Sequence, residues 1–170
     1  MDSSRRKRHK GGNGMHFQTE IYQLEIDAER TAKFYREAGF NTCDCDECRN
    51  FALAVAHLPE HVVTFLRQFG IDPAKPAEMS GLYAPSDDTI FYNGFYHICG
   101  TIVKGTNAYI QVGEKSFELD PQYTIELDRE NIVYFTPDVH LLEDDFPTPA
   151  FQMECCFILP WLLSKPNPYD

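Results

Sequence analysis

The chain has 170 residues, of which 43% are apolar and 14% aromatic, and its formal net charge at pH 7 is −11. A chain of this length can bury roughly two thirds of the surface that its unfolded form exposes, so it can fold as one domain without a disulfide or a metal. The composition excludes intrinsic disorder for most of the chain. No run approaches the roughly 18 to 20 consecutive apolar residues of a membrane-spanning helix, so we expect no membrane association.

Positive charge is concentrated at the N-terminus, within residues 1–14. No apolar segment follows these charges, so they are not typical of a secretory signal, and we expect a cytoplasmic protein. We predict that residues 1–14 form a disordered basic leader and that residues 15–170 form a single α+β domain. The rest of the chain is strongly acidic, which disfavours a nucleic-acid surface because phosphates are bound by clustered Lys and Arg. The basic residues are Arg5, Arg6, Lys7, Arg8 and Lys10.

Short helices are predicted in the first half of the chain, at residues 27–38, 44–57 and 59–70. Asp27 is a suitable N-cap for the first helix. The second begins in a group of cysteines, where the spacing of Asp44 and Glu47 imitates a capping box. In the third, apolar residues recur at three- and four-residue steps between Pro59 and Gly70.

The second half changes to the alternating pattern of strands from about residue 90. An N-terminal strand within residues 17–26 is a further prediction, whereas residues 79–89 are rich in turn-forming residues and are predicted to be a loop. The fold class is therefore α+β, with short N-terminal helices followed by a mostly antiparallel sheet of five or six strands. Later strands are predicted at 108–112, 116–119, 122–127, 131–135 and 151–159. The last of these should bury one face, formed by Phe151, Met153, Cys155, Phe157 and Leu159.

The strongest chemical signal is a cysteine cluster formed by Cys43, Cys45 and Cys48. Zinc needs sulfurs at about 2.3 Å, and C-x-C and C-x2-C steps where a loop meets a helix can place three sulfurs around one ion. The acidic residues between the cysteines disfavour reactive thiolates in the metal-free protein and leave room for the charge of a dication. We therefore predict a metal site with zinc as its ion. Thiols without a metal, or a redox pair of Cys45 and Cys48, remain open alternatives.

The fourth ligand is not specified by the local sequence. His57 lies about two and a half helical turns beyond Cys48, which makes it a poor candidate. His97 and Cys99 share one face of a predicted strand and are the leading distant candidates, although both residue types are also common in protein cores. Water or an acidic side chain could equally complete the site.

Motifs of nucleotide binding and of acyl transfer are missing from the sequence, which contains no G-x-S-x-G, P-loop or G-x-G-x-x-G segment. The sequence therefore favours a non-enzymatic binding or interaction domain with a structural metal site. It does not specify the partner, and a protein is one candidate. The alternative is a thiol-based redox enzyme, or a metal-dependent enzyme, that uses the same cysteines.

One segment carries a family resemblance, which covers roughly residues 40–78. The residues that carry it are Cys43-x-Cys45-x2-Cys48-Arg49-Asn50-Phe51, Leu58-Pro59, Phe65-Leu66, Phe69-Gly70-Ile71-Asp72-Pro73 and Lys75-Pro76. With these residues the segment resembles a family of small bacterial proteins of unknown activity. The resemblance implies a cytoplasmic bacterial protein with a shared cysteine cluster, and it implies no catalytic residue.

Overall fold

The fold is α+β, and the computed structural model describes residues 14–39 and 43–169. The predicted leader lies outside the described residues, apart from Gly14. None of the helices in the described part of the chain is long and apolar enough to cross a membrane. The helices are α1 (Ala28–Glu37), α2 (Asp46–Ala54) and α3 (Glu60–Gln68), and a 3₁₀ turn (Val55–His57) continues α2. The strands are β1 (Met15–Gln18), β2 (Gln23–Ile26), β3 (Glu78–Tyr83), β4 (Thr89–Lys104), β5 (Tyr109–Gln111), β6 (Phe117–Leu119), β7 (Ile125–Glu126), β8 (Asn131–Thr136) and β9 (Ala150–Pro160).

The helices begin and end close to the predicted residues because their end signals are local. Asp27 caps α1, and its Oδ1 accepts a hydrogen bond from the Arg30 amide at 3.0 Å. After α3, Gly70 has a φ of 82°, which a glycine adopts without strain. The amides of Gly70 and Ile71 donate back to the carbonyls of Arg67 and Leu66, which closes the helix in a Schellman motif.

Seven antiparallel strands form the main sheet, in the order β1-β2-β4-β9-β8-β7, with β3 pairing with β4 as well. The long strand β4 pairs with β9 along one edge, while β2 and β3 share its other edge. Strands β5 and β6 form a separate two-stranded hairpin. The mostly antiparallel sheet was predicted, but it has one or two strands more than expected.

Two details of the predicted order differ from the structure. The sheet does not simply follow the helices, because the segment predicted as one N-terminal strand is a hairpin of β1 and β2 that precedes α1. The predicted loop at residues 79–89 contains most of β3. The glycine and polar residues of this segment are typical of a loop, yet β3 forms because it pairs with residues 91–95 of β4.

A large part of the core lies on the face of the sheet that carries Tyr92 and Phe157, where α2 and α3 contribute side chains. The predicted apolar face of β9 is fully buried, including Phe157, which is 0% exposed. In the register of the sheet, Phe157 lies opposite Tyr92 of β4 and Asn131 of β8. Phe51 of α2 and Leu66 of α3 contribute to the same core. This packing holds α2, and with it the cysteine cluster, against the sheet.

Candidate metal centre

Helix α2 begins inside the cysteine cluster, and Cys45 is its N-cap. The Cys45 backbone is extended, with φ −72° and ψ 159°, and its Sγ accepts a hydrogen bond from the Cys48 amide at 3.5 Å. The Cys45 carbonyl accepts a hydrogen bond from the Arg49 amide at 3.0 Å. The capping box predicted for Asp44 and Glu47 is therefore wrong, because the thiol of Cys45 takes the place that a capping carboxylate or hydroxyl usually has.

The chain brings the three sulfurs of the cluster together. All three Sγ atoms lie within 4.8 Å of one another, and those of Cys43 and Cys45 are 3.3 Å apart. In the described part of the chain, this is the one group of three or more potential ligand side chains that is so compact. Sulfurs bound tetrahedrally to one zinc ion at about 2.3 Å lie about 3.8 Å apart. Only small side-chain rotations are therefore needed to bring the three sulfurs around an ion.

The three thiols differ in their electrostatic surroundings. Hydrogen bonds from the Cys45 amide and from the thiols of Cys45 and Cys48 lower the pKa of the exposed Cys43. The pKa of Cys48 is raised, first by burial and then by its hydrogen bonds to the other two thiols. For Cys45, the Cys48 amide lowers the pKa, but partial burial and hydrogen bonds to the side chains of Cys43 and Glu47 raise it overall. The cluster thus combines one thiol with a lowered pKa and two thiols with raised pKa values, and a bound dication can displace their protons.

The residues that follow the cysteines fasten α2 to the sheet. Asn50 is 0% exposed, and its Nδ2 donates to Tyr92 Oη and to the Pro160 carbonyl, both at 3.0 Å. Tyr92 in turn donates to the Glu47 carbonyl at 2.8 Å. The Phe51 ring packs edge-on against Tyr92, with a centroid distance of 5.3 Å. Asn50 and Phe51 belong to the segment that carries the family resemblance, and the structure gives them a role in docking α2.

The C-terminal segment, residues 161–169, also contacts α2. The Leu162 amide donates to Asn50 Oδ1 at 2.7 Å, and Lys165 Nζ lies 2.9 Å from Asp46 Oδ1. Near the end of the segment, Tyr169 Oη lies 3.2 Å from Glu47 Oε1. Sequence reasoning missed this segment, because the partners are more than 100 residues apart in the chain.

His97 and Cys99 do not join the cluster. Strand β4 keeps a regular register with β9 from Thr89 to Cys99, so the side chains of His97 and Cys99 point to the face opposite Tyr92. They also lie roughly 17 Å and 23 Å along the strand from Tyr92, at about 3.3 Å per residue. The leading distant candidates are thus out of reach of the three sulfurs, because residues that alternate along a strand cannot reach a helix on the other face.

Each of these two residues has its own surroundings. The His97 ring is buried, and its Nε2 lies 2.8 Å from the His140 carbonyl. It forms part of the wall of a cleft of about 510 Å³ beside α1. Burial lowers the pKa of His97 and raises the pKa of Cys99. The Cys99 amide donates to Thr31 Oγ1 at 2.9 Å, which helps to hold α1 on the sheet.

Comparison with known proteins found no match to the chain among protein-family models, curated proteins or solved structures. The resemblance of residues 40–78 to small bacterial proteins therefore remains a prediction. Any function proposed for the protein therefore depends on the geometry of the candidate metal centre alone.

Proposed function

We propose that this protein is a non-enzymatic binding or interaction domain in which a zinc ion, held by Cys43, Cys45 and Cys48, fixes the start of α2. The observation that carries the proposal is the placement of three sulfurs within 4.8 Å of one another around a helix N-cap. An ion bound there would join the chain before α2 to a helix that is already docked on the core. The metal-like spacing of the cysteines and a sequence without a recognised catalytic motif support a binding role, and a protein is the partner that we propose for it.

The chemistry of the ligands supports zinc and a reducing location. Thiolates are typical ligands of structural zinc, and a dication offsets most of the charge of three thiolates. All six cysteines carry thiols rather than disulfides. Thiols persist in a reducing compartment, so a cytoplasmic location is part of the proposal, as is membership of the bacterial family that residues 40–78 resemble.

Replacing Cys43, Cys45 and Cys48 together by serine should abolish zinc binding. Protein purified without chelator should contain about one zinc ion per chain, and the triple variant should contain almost none, because serine is a poor zinc ligand at neutral pH. Inductively coupled plasma mass spectrometry measures both. Cys99→Ala is the matched control, since it removes a buried thiol from the other face of the sheet and should retain the metal. A wild-type protein without metal, or a triple variant with a full equivalent, would contradict the proposal.

Zinc affinity should rise steeply with pH. Burial and neighbouring groups raise the pKa values of Cys45 and Cys48, so both must lose a proton when the ion binds. Release of two to three protons, the third from Cys43, changes the apparent affinity about 100- to 1000-fold per pH unit below the pKa values of the thiols. Calorimetric titration between pH 6 and pH 8, in buffers of different ionisation enthalpy, measures the number of protons released. A constant affinity over this range would show that the ion does not bind to these thiols.

A thiol-based redox function is the second candidate, and the surroundings of Cys43 favour it. Its sulfur is exposed, its pKa is lowered, and the Cys45 sulfur lies 3.3 Å away. A redox thiol should be alkylated rapidly by iodoacetamide in metal-free protein. Slow and uniform labelling of all three cysteines would favour the structural metal site instead.

A further inference from the structure

An ion held by the cysteine cluster would lie at the surface of the protein. The side chains of Cys43 and Cys45 are exposed, and that of Cys48 is partly buried. Helix α2 is fastened to the sheet through Asn50 and Phe51, which follow the last of these cysteines. The sulfurs are therefore open to solvent, and a group from another molecule can reach an ion bound between them.

Three cysteines leave a zinc ion one ligand short of its usual four. Among the described His, Cys, Asp and Glu side chains, only these three thiols form so compact a group of potential ligands. The distant candidates His97 and Cys99 lie on the other face of the sheet. Zinc centres with three protein ligands take their fourth ligand, water or another group, from outside the chain. The described residues thus favour a centre with an open fourth position.

The charge of the centre favours a neutral fourth ligand. Zinc and three thiolates together carry one negative charge, which a further thiolate or carboxylate would increase. Two of the three carboxylates in this segment lie 3.8 Å and 2.9 Å from the cations of Arg49 and Lys165, whereas Glu47 lies 3.2 Å from the neutral Tyr169 hydroxyl. The surroundings therefore do not compensate a further anion. The imidazole of histidine is the neutral ligand that completes three-cysteine zinc sites.

Exposed apolar side chains lie beside the cluster. Tyr169 Oη lies 3.2 Å from Glu47 Oε1, in the first turn of α2, and 2.7 Å from the Gly81 carbonyl of β3. Next to Gly81, Leu82 and Tyr83 are 52% and 50% exposed, and Tyr169 itself is 37% exposed. We call Leu82, Tyr83 and Tyr169 the apolar patch. Exposed apolar side chains grouped in this way are typical of a protein–protein interface.

We propose that the three-cysteine centre has an open fourth position, which a partner protein fills with a histidine side chain while it packs on the apolar patch. The inference rests on the proposed function, because it needs a metal on the three sulfurs. It identifies the partner by its chemistry, a histidine with apolar residues beside it. The ion contributes a directional bond to the imidazole, and the patch contributes hydrophobic burial.

Cobalt-substituted protein tests the open position. Co²⁺ can replace zinc on thiolates, and its ligand-field bands respond to a change of ligand. Titration with imidazole should convert these bands to a new spectrum with saturation, whereas acetate at the same concentration should leave them unchanged. Mass spectrometry after the titration checks that the cobalt has stayed on the protein.

Two short peptides test the apolar patch. The peptide acetyl-Leu-His-Leu-amide should bind cobalt-substituted protein about 10-fold more tightly than acetyl-Gly-His-Gly-amide, because its leucines bury apolar surface on the patch. Combining Leu82→Ser with Tyr83→Ser should remove this preference and leave imidazole binding unchanged. Val103→Ser is the matched control, since Val103 is 52% exposed but lies at the end of β4 away from β3, and it should keep the preference.

The possible outcomes separate this inference from the proposed function. Wild-type protein that binds neither zinc nor cobalt would overturn both. Bound cobalt that does not respond to imidazole would leave the three-cysteine centre in place and overturn the open position. A cobalt spectrum that changes in His9→Ala would show that His9, which lies outside the described residues, fills the position instead of a partner. Equal affinities for the two peptides would overturn the role of the apolar patch.

Discussion

Phe157→Ala should lower the free energy of unfolding by about 3 to 5 kcal/mol, the usual cost of removing a buried phenylalanine ring. Phe157 is 0% exposed and lies on the core face of β9, between β4 and β8. Strands on both sides prevent the sheet from closing over the missing ring, so a cavity should remain. Urea denaturation followed by circular dichroism measures the loss.

Phe117→Ala is the matched control for Phe157→Ala. Phe117 lies on the β5–β6 hairpin and is 61% exposed, so the same substitution should cost less than about 1 kcal/mol. A similarly small loss for Phe157→Ala would show that β9 does not lie at the centre of the sheet.

The position of β9 could be predicted because its signal is local and strong. Apolar residues occupy every second position from Phe151 to Leu159, and the whole of that face is buried. The neighbouring Gln152 and Cys156 are buried as well, which the alternation does not show. Groups outside β9 contact both side chains: the His140 amide donates to Gln152 Oε1 at 2.9 Å, and Asn93 Nδ2 lies 3.4 Å from Cys156 Sγ.

Strand β3 could not be predicted from its own residues. Its sequence has the glycine and the polar side chains of a loop, and its pairing partner is a segment of β4 that follows it in the chain. Strand formation at a sheet edge depends on that partner more than on intrinsic preference. The hairpin of β1 and β2 was also not predictable from the local pattern. A turn between Gln18 and Gln23 divides a segment whose alternation otherwise resembles one strand.

The cysteine cluster could be predicted because its three thiols lie within six residues, so the backbone has few ways to separate them. The contacts that surround the cluster could not be predicted from the sequence. Asn50 and Tyr92 are separated by 42 residues, and Glu47 and Tyr169 by 122 residues. Neither pair has a sequence pattern that marks it. The sequence also could not show that His97 and Cys99, the distant ligand candidates, lie away from the cluster. Residue type alone does not show on which face of the sheet a helix will pack.

Asn50→Ala should destabilise the protein by about 2 to 4 kcal/mol and should also weaken zinc binding. The substitution leaves the partly buried Pro160 carbonyl and Leu162 amide without the partner that Asn50 provides. A polar group that loses its partner costs about 1 to 3 kcal/mol when buried, and the lower part of that range applies where water can reach it. Tyr92 keeps its hydrogen bond to the Glu47 carbonyl, so part of the docking of α2 should survive. Chemical denaturation with and without zinc, together with chelator competition, measures both effects.

Leu53→Ala is the matched control for Asn50→Ala, because Leu53 lies on the same helix but is 52% exposed. Its substitution should leave stability within about 1 kcal/mol and zinc affinity unchanged. The side chain of Asn50 forms hydrogen bonds with Tyr92, Pro160 and Leu162 and not with the three sulfurs, so a loss of zinc affinity in Asn50→Ala must come from a loosened α2. Unchanged zinc affinity in a destabilised Asn50→Ala would show that the three cysteines bind the ion as a local loop, independently of how α2 is docked on the sheet.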